Sequence, residues 1–485
     1  MNPIKNVAYV LVITVLLVGC NDFGNLNVDS NNPSEVRTDL LMAGAQTGVS
    51  DVVGAATPVI WTQYITETQY DDVPRYNPTE ANFNSWYYDE LQDLQTIIDL
   101  NTDEETKDDV LSGGSNANQI AVARIMKVYF FQMITDRWGN VPYSEALQGS
   151  DNLSPAYDSQ EDIYADLVVE LQEAVEQMDS GAGVKGDILF EGDMEQWALF
   201  ANSLRARVAL RMADAAPSLA ETHFTDAVND GLITEDVMYP FLADAENENP
   251  WYTRFRTRTD YAISDVIGDY MLDLDDNRIL VYANPAPDED NNDGVVEFSE
   301  IVPMDYDAPA PGDITNSSIS FPGDAIGAGG EGIQDAPLPI ITTAELEFAQ
   351  AEAVERGWIT GVAADHYNSG IEASWNQWGV FDTADFAAYI ATPEVAYSSA
   401  EWDEKIGVQK WIALYPNGYE AYAEWRRLDY PALEPHDRAL TQSEEIPVRF
   451  TYPSTEAEIN AASYEAAVSA QGPDTPDTKV WWDVD

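Results

Sequence analysis

The sequence is short of positive charge, and this shortage excludes several classes of protein. Its 485 residues include 23 Lys and Arg against 86 Asp and Glu, for a formal net charge of −63. Nucleic-acid binding requires basic side chains that displace counterions from phosphate, and anionic lipid headgroups also attract basic segments. The composition therefore excludes nucleic acid and disfavours anionic lipid. Apolar residues make up 45% of the chain, enough to bury a core, which excludes wholesale disorder.

Cysteine and histidine are also scarce, which argues against common catalytic and metal sites. The three histidines, His223, His366 and His436, are far apart and lack zinc-binding spacing. No Gly-x-Ser-x-Gly elbow is visible. Paired carboxylates could hydrolyse glycosides, but among 86 acids such pairs arise by chance. We expect a non-catalytic protein, with a glycan-cleaving surface enzyme as the less favoured alternative.

Long apolar runs are absent except near the N-terminus. Residues 7–18 form a nearly continuous apolar run, shorter than the ~20 residues that a membrane-spanning helix needs. The run ends in Leu17-Val18-Gly19-Cys20, which resembles a bacterial lipobox, where a signal peptide is cleaved and the cysteine is lipidated. Cys20 is the only cysteine in the chain. We predict a lipoprotein signal peptide over 1–19, lipidation of Cys20 and a lipidated tether over 20–35.

Helical periodicity dominates two stretches of the remaining chain, about 36–230 and 343–430. Apolar side chains recur there at three- and four-residue spacing. Several amphipathic helices with short connections favour stacked helix pairs of the α-solenoid kind. Helices are predicted over 81–100, 118–135, 159–178, 193–213, 343–356, 365–378, 400–415 and 419–427.

The region about 235–340 has a different composition. Pro, Gly, Asn and Asp punctuate it and its apolar runs are short, so we predict long ordered loops with little regular structure. The chain beyond Pro431 is predicted to be irregular as well. Loops of this length usually carry function. We expect residues 36–485 to form one domain, with 235–340 on its ligand side.

Four segments stand in order along the chain. They are Leu26-Asn-Val-Asp-Ser-Asn-Asn-Pro-Ser34, Arg137-Trp-Gly-Asn-Val-Pro-Tyr-Ser-Glu-Ala146, the helix from Trp197 to Arg211, and Glu424-Trp-Arg-Arg-Leu-Asp-Tyr-Pro431. Together they resemble the SusD/RagB-type nutrient-binding outer-membrane lipoproteins, the starch-binding SusD-like family. The resemblance implies a mostly α fold: a SusD-like α-helical body with degenerate tetratricopeptide-like helix pairs and long irregular loops.

The same resemblance implies a function. Family members are surface-exposed, lipid-anchored proteins of the outer membrane that serve polysaccharide utilization. They bind a glycan, or sometimes a peptide or other nutrient, and deliver it to a SusC-like TonB-dependent transporter. We therefore expect a glycan ligand, a SusC-like partner and an outer-membrane lipid anchor through the Cys20 acyl chains, and no nucleic acid.

Two segments have the composition of a glycan site: residues 70–76, with Trp61 and Tyr64 upstream, and residues 251–256. Such sites offer aromatic faces to the apolar side of a sugar ring, framed by planar hydrogen-bonding groups. The arginines at 254–258 have period-2 spacing, which predicts that they share one face of an extended segment and could bind an anionic glycan. The candidate ligand-binding residues are Trp61, Tyr64, Tyr70, Asp71, Asp72, Arg75, Tyr76, Trp251, Tyr252, Arg254, Arg256 and Arg258.

Other arginines are clustered at 205–211 and 426–427. In a chain with so few basic residues, we interpret these two clusters as fold-holding ion pairs with carboxylates. For the 254–258 cluster a structural role and a ligand-binding role both stay open.

Residues 289–300 parallel an EF-hand-type calcium loop. Oxygen-bearing side chains stand at positions 1, 3, 5, 9 and 12, with Gly294 at position 6 for the sharp turn. The departures are a Glu at position 1, where Asp is usual, and the lack of evident flanking helices, so a solvated acidic turn is the alternative. No cofactor is required, but a structural calcium could bind here. The candidate ligands are Glu289, Asn291, Asp293, Val295, Glu297 and Glu300.

Overall fold

The computed structural model describes residues 36–77, 80–291, 293–308, 314–328 and 333–484. The predicted signal peptide, Cys20 and the tether lie outside these residues. Residues 39–485 form one compact unit. Within the described ranges, no helix is both long and apolar enough to cross a membrane.

The first half of the chain is helical, as predicted. Successive helices between residues 90 and 230 pack against each other in chain order. A short ribbon of strands β2 (Val141–Pro142) and β3 (Tyr157–Asp158) connects the helix that ends at Trp138 to the helix that begins at Gln160. The helices are α1 (Thr38–Thr47), α2 (Val49–Val53), α3 (Ala56–Trp61), α4 (Asn84–Tyr88), α5 (Glu90–Thr102), α6 (Asn116–Trp138), α7 (Gln160–Gln177), α8 (Met194–Arg211) and α9 (Pro217–Asp230).

Local signals in the sequence set the ends of the long helices. Ser115, Ser159 and Asp193 accept hydrogen bonds from backbone amides at the starts of α6, α7 and α8. Gly139, at φ +78°, ends α6 in a conformation that glycine adopts without strain. The single helix predicted over 81–100 is two helices, because the chain breaks at Asp89 (φ −99°, ψ −88°).

The middle of the chain is loop-rich, as predicted, but it contains more regular structure than its composition indicates. Two antiparallel strand pairs fix its position on the helical body: β1 (Ile65–Glu67) pairs with β5 (Tyr261–Ile263), and β4 (Val237–Tyr239) pairs with β6 (Leu338–Ile341). Short helices lie between these strands. They are α10 (Pro250–Phe255), α11 (Asp265–Asp273) and α12 (Ile279–Tyr282).

The C-terminal half returns to helices. The helix Thr343–Glu355 packs against the helices Ala363–Gln377 and Trp402–Ala413 and against the earlier α8. The prediction of an irregular chain beyond residue 431 is wrong over 456–471, where two helices form. Their sequence is rich in Ala and Ser and has no apolar stripe, so periodicity could not reveal them. The helices are α13 (Thr343–Glu355), α14 (Ala363–Gln377), α15 (Thr383–Tyr389), α16 (Trp402–Ala413), α17 (Gly418–Leu428), α18 (Glu456–Ile459) and α19 (Ala461–Gln471).

Buried ion pairs join α8, α13 and α17, which confirms the structural interpretation of the two arginine clusters for every member except Arg426. Arg207 is bidentate to Glu345 at 2.6 and 2.7 Å. Arg427 is bidentate to Glu352, with both N–O distances at 2.7 Å, and also contacts Glu424 at 2.8 Å. Arg205 pairs with acidic residues of α9, and Arg211 pairs with Glu420 and Glu424. Arg426 differs: it donates to the backbone carbonyls of Asp136 and Val448.

Candidate ligand surface

The β1–β5 ribbon brings the two predicted glycan-binding segments together. Its register pairs Glu67 with Tyr261, and the ribbon continues with a hydrogen bond of 2.7 Å from the Thr68 amide to the Asp260 carbonyl. The loop that follows β1 therefore runs beside the loop that precedes β5. The sequence identified both segments, but it could not predict their pairing across almost 200 residues.

Tyr70 and Arg258 meet at this junction. Arg258 Nη2 donates a hydrogen bond of 2.8 Å to the Tyr70 hydroxyl, and its guanidinium carbon lies 5.3 Å from the centre of the Tyr70 ring. Arg258 Nε is 2.6 Å from Asp260 Oδ2. The side chains of Tyr70 and Arg258 are 52% and 50% exposed, so two planar groups, held by each other, face solvent.

A second arginine cluster adjoins Tyr70 in the loop after β1. Arg75 Nη1 and Arg438 Nη1 each lie 3.1 Å from the same Asp71 oxygen. Arg438 Nη2 also donates to the Ala308 carbonyl at 2.8 Å, so the C-terminal loop contacts both the loop after β1 and the loop that contains Ala308. Sequence reasoning missed Arg438, because no local pattern connects it to a loop more than 360 residues earlier. We call the set Tyr70, Asp71, Arg75, Arg258, Asp260 and Arg438 the Tyr70–Arg258 surface.

Each arginine of this surface has a carboxylate partner. Arg258 pairs with Asp260, and Arg75 and Arg438 share Asp71, so three arginines face two aspartates. Glu67 lies beneath, with one carboxyl oxygen that is buried and has no hydrogen-bond partner among the described residues. Burial, reinforced by the neighbouring Asp72, Asp260 and Asp71, raises the pKa of Glu67 to about 7. The three arginines exceed the two aspartates by one positive charge, which Glu67 offsets when it is ionised.

Four predicted ligand-binding residues are in the core, and their assignment is corrected. The rings of Trp61, Tyr64, Tyr76 and Trp251 are at most 1% exposed, so they cannot stack on a sugar. Trp61 stacks on Phe450 with ring centres 4.7 Å apart, and the other three rings also pack against aromatic side chains. The sequence could not separate these rings from Tyr70, because burial depends on contacts with distant segments.

The prediction that the arginines of 254–258 share one extended face is also wrong. Arg254 lies within helix α10, partly buried, with its guanidinium carbon 4.7 Å from the Trp251 ring centre. Arg256 follows the helix, pairs with Glu248 and lies over the Tyr252 ring. Only Arg258 reaches the surface that Tyr70 forms. Asp72 is exposed on the loop after β1, and Tyr252 is partly buried.

The segment 289–300 folds on itself through its own carboxylates. Both oxygens of Glu300 accept backbone amide hydrogens, from Asn291 at 2.9 Å and Glu297 at 3.0 Å. The Asn291 and Asp293 side chains accept amide hydrogens two residues ahead, while Glu289 and Val295 are exposed. Among the described residues, no group of three or more acidic, histidine or cysteine side chains is placed to hold a metal ion. Calcium binding by this loop stays a prediction.

A family model described as "Starch-binding associating with outer membrane", SusD-like, matches residues 30–453. The chain belongs to the SusD-like family. The match includes the whole Tyr70–Arg258 surface and ends just before α18. The family and the mostly helical fold that the sequence motifs implied are thus both confirmed. No curated protein sequence matches this SusD-like chain.

Solved structures give the same family. A chitin-binding protein is 27% identical, with 93% of this chain and 100% of that one aligned at a TM-score of 0.77. A chitin-binding SusD homologue from Flavobacterium johnsoniae is 25% identical over 92% and 99% of the two chains, with a TM-score of 0.76. A SusD homologue from Bacteroides fragilis is 25% identical over 93% and 99%, with a TM-score of 0.77. These similarities agree with the family match and with the mostly helical fold.

Proposed function

We propose that this SusD-like protein captures a neutral glycan on the Tyr70–Arg258 surface and delivers it to a SusC-like TonB-dependent transporter. Cys20 would carry the lipid that anchors the chain at the outer-membrane surface. The role is that of a receptor, without catalysis.

The observation that carries this proposal is the half-exposed pair of Tyr70 and Arg258. An aromatic ring offers an apolar face to a pyranose, and a guanidinium offers several fixed donors to its hydroxyl groups. The hydrogen bond between the two side chains and the Asp260 contact hold both planes in place before a ligand arrives. Such preorganisation lowers the entropic cost of binding.

The ion pairing of the surface arginines favours a neutral ligand over an anionic one. Each arginine of the surface has a carboxylate partner, and Arg254, which is partly buried in α10, is not part of the surface. A polyanionic glycan would have to displace these carboxylates and would also approach a chain of net charge −63. Two of the similar solved proteins are described as chitin-binding, and chitin is an uncharged polymer.

Affinity electrophoresis of a Cys20→Ser chain tests the ligand class. Gels would contain neutral polysaccharides (glycol chitin, xyloglucan, starch, laminarin) or anionic ones (alginate, a sulfated galactan). We expect retardation by at least one neutral glycan, without release of oligosaccharide. Tyr70→Ala and Arg258→Ala should each weaken binding about tenfold, the cost of truncating a central aromatic or arginine contact. Arg258→Lys keeps the charge but loses the planar fork, and should also bind weakly.

Two control variants separate these effects from general changes. Lys107→Ala removes a partly exposed cation, and Phe381→Ala removes a partly exposed aromatic ring; neither residue belongs to the Tyr70–Arg258 surface. Neither should alter retardation. Binding of anionic glycans alone, binding of peptides alone, or released oligosaccharide would contradict the proposal. Anchoring is tested separately, because Cys20→Ser should move the protein from the membrane fraction to the soluble fraction of expressing cells.

A further inference from the structure

A cleft outside the Tyr70–Arg258 surface has the composition of a second sugar site. It opens to solvent between α4, the loop of residues 146–155 and α18, with a volume of about 190 Å³. Phe83, Tyr87 and Pro142 are among its lining residues, together with Tyr88. We call it the Tyr88 cleft. It shares no lining residue with the Tyr70–Arg258 surface.

Large exposed apolar side chains are concentrated at this cleft. Tyr88 is 70% exposed, Leu153 81% and Ile459 62%, and all three line it. Exposed apolar groups around a concavity mark a binding surface more specifically than scattered ones do. Ile459 belongs to α18, which begins beyond the end of the family match at residue 453.

Charge identifies the kind of ligand that fits. No Lys or Arg lines the cleft, and its one acidic side chain, Glu456, is already engaged. One Glu456 oxygen accepts a hydrogen bond of 2.6 Å from the Tyr157 hydroxyl, and the other accepts one of 3.3 Å from Asn84 Nδ2. In a chain with 86 acids, this is an almost uncharged site. The cleft therefore offers no cation to a polyanion and no unengaged carboxylate to a basic segment.

The polar groups of the cleft are amides, the planar hydrogen-bonding groups that suit sugar hydroxyls. Three are fixed by the protein: Asn84 by Glu456, Asn152 by Glu145, and Asn460 by the Pro155 carbonyl at 2.9 Å. Fixed amides beside an exposed tyrosine ring combine orientation with an apolar face. The volume is below the ~300–1,000 Å³ of pockets that enclose a whole small ligand, so it suits one or two rings of a longer chain.

We infer that the Tyr88 cleft binds a neutral saccharide as a second contact on the same protein, with the sugar face on Tyr88. This inference shares the ligand class of the proposed function but does not depend on the Tyr70–Arg258 surface. Two contacts on one polysaccharide would raise its apparent affinity through effective concentration, and short oligosaccharides would gain less.

A single fluorescent label can report occupancy of the cleft directly. Cys20 is the only cysteine, so Cys20→Ser with Leu153→Cys places one thiol at the rim of the cleft, and Cys20→Ser with Val362→Cys places one at an exposed position elsewhere. Each protein would carry an environment-sensitive dye and be titrated with N-acetylchitohexaose, cellohexaose, maltohexaose and laminarihexaose. We expect a saturable signal from residue 153 with at least one of them, and none from residue 362.

Two variants of the labelled protein assign the signal. Tyr88→Ala should weaken the affinity measured from the signal about tenfold, while Tyr88→Phe, which keeps the ring, should have an affinity within about twofold of the parent. Because Tyr88 is exposed, neither change should alter the thermal midpoint. The signal should persist when Tyr70→Ala and Arg258→Ala are combined, so failure of the proposed function and failure of this inference are distinguishable. No response to any of the four sugars, or an unchanged response in Tyr88→Ala, would overturn it.

Discussion

Removing Arg427 tests whether the buried ion pairs hold the helical body together. Its side chain is 2% exposed and binds two carboxylates, Glu352 at 0% and Glu424 at 5% exposure. We choose Arg427→Met, which keeps most of the side-chain length without the charge. The change leaves two buried carboxylates short of a partner, and breaking a buried pair in this way costs ~3–5 kcal/mol.

The remaining contacts set the expected value within this range. Glu352 keeps Arg356, whose Nε lies 2.7 Å away, and Glu424 keeps Lys410 at 2.5 Å and Arg211 at 3.1 Å. We therefore expect the lower end, a loss of about 3 kcal/mol in the free energy of unfolding. Urea unfolding at pH 7, followed by circular dichroism, measures it.

A surface pair supplies the control for Arg427→Met. Lys107 pairs with Glu104, whose side chain is 85% exposed, so Lys107→Met should leave the free energy of unfolding almost unchanged. If Arg427→Met changed the free energy of unfolding as little as Lys107→Met does, the buried ion pairs would not hold the helical body together, and the reasoning would be refuted.

Two further predictions concern pH and a glycine. Burial alone would raise the pKa of Glu424, but Arg427, Lys410 and Arg211 outweigh it and hold that pKa well below its usual range. The ionised Glu424 stabilises the fold above its unfolded pKa of ~4.3, and this stabilisation is lost as the pH falls through the folded pKa. The difference in the free energy of unfolding between wild type and Arg427→Met should therefore narrow below pH ~4 in acid titrations. In Gly186→Ala, at φ +78°, the new Cβ would lie 1.8 Å from the Asp39 carbonyl oxygen, whereas Gly357→Ala, at φ +77°, meets nothing within 4 Å. Thermal melts should show a larger fall in the midpoint for Gly186→Ala than for Gly357→Ala, and equal falls would contradict the close contact.

The long helices and the family could be predicted from the sequence because their signals are local. Apolar residues on most sides identified the buried α6, and the helices predicted to begin at Ser159 and at the cap Asp193 begin within one residue of those positions. The helix α19 escaped because its Ala-rich sequence has no apolar stripe. A helix with mostly small side chains and no apolar face leaves no pattern to detect.

The candidate surface could be predicted only in part, because it is built from segments far apart in the chain. The composition of 70–76 identified Tyr70, yet the same criterion selected Trp61 and Tyr64, whose rings are in the core. Arg258 was identified, but its pairing with Tyr70 depends on the β1–β5 register. Arg438 carries no local signal at all. Burial and long-range pairing are properties of the folded chain, and spacing rules do not contain them.

The most direct test of the central claim is isothermal titration with an oligosaccharide of whichever neutral glycan retards the protein in gels. The wild-type protein and the variant that combines Tyr70→Ala with Arg258→Ala would be titrated under conditions where both are equally folded. We predict that the variant loses at least tenfold in affinity while its thermal midpoint is unchanged, since both side chains are half exposed. Equal affinity of the two proteins would contradict the assignment of the Tyr70–Arg258 surface as the glycan site.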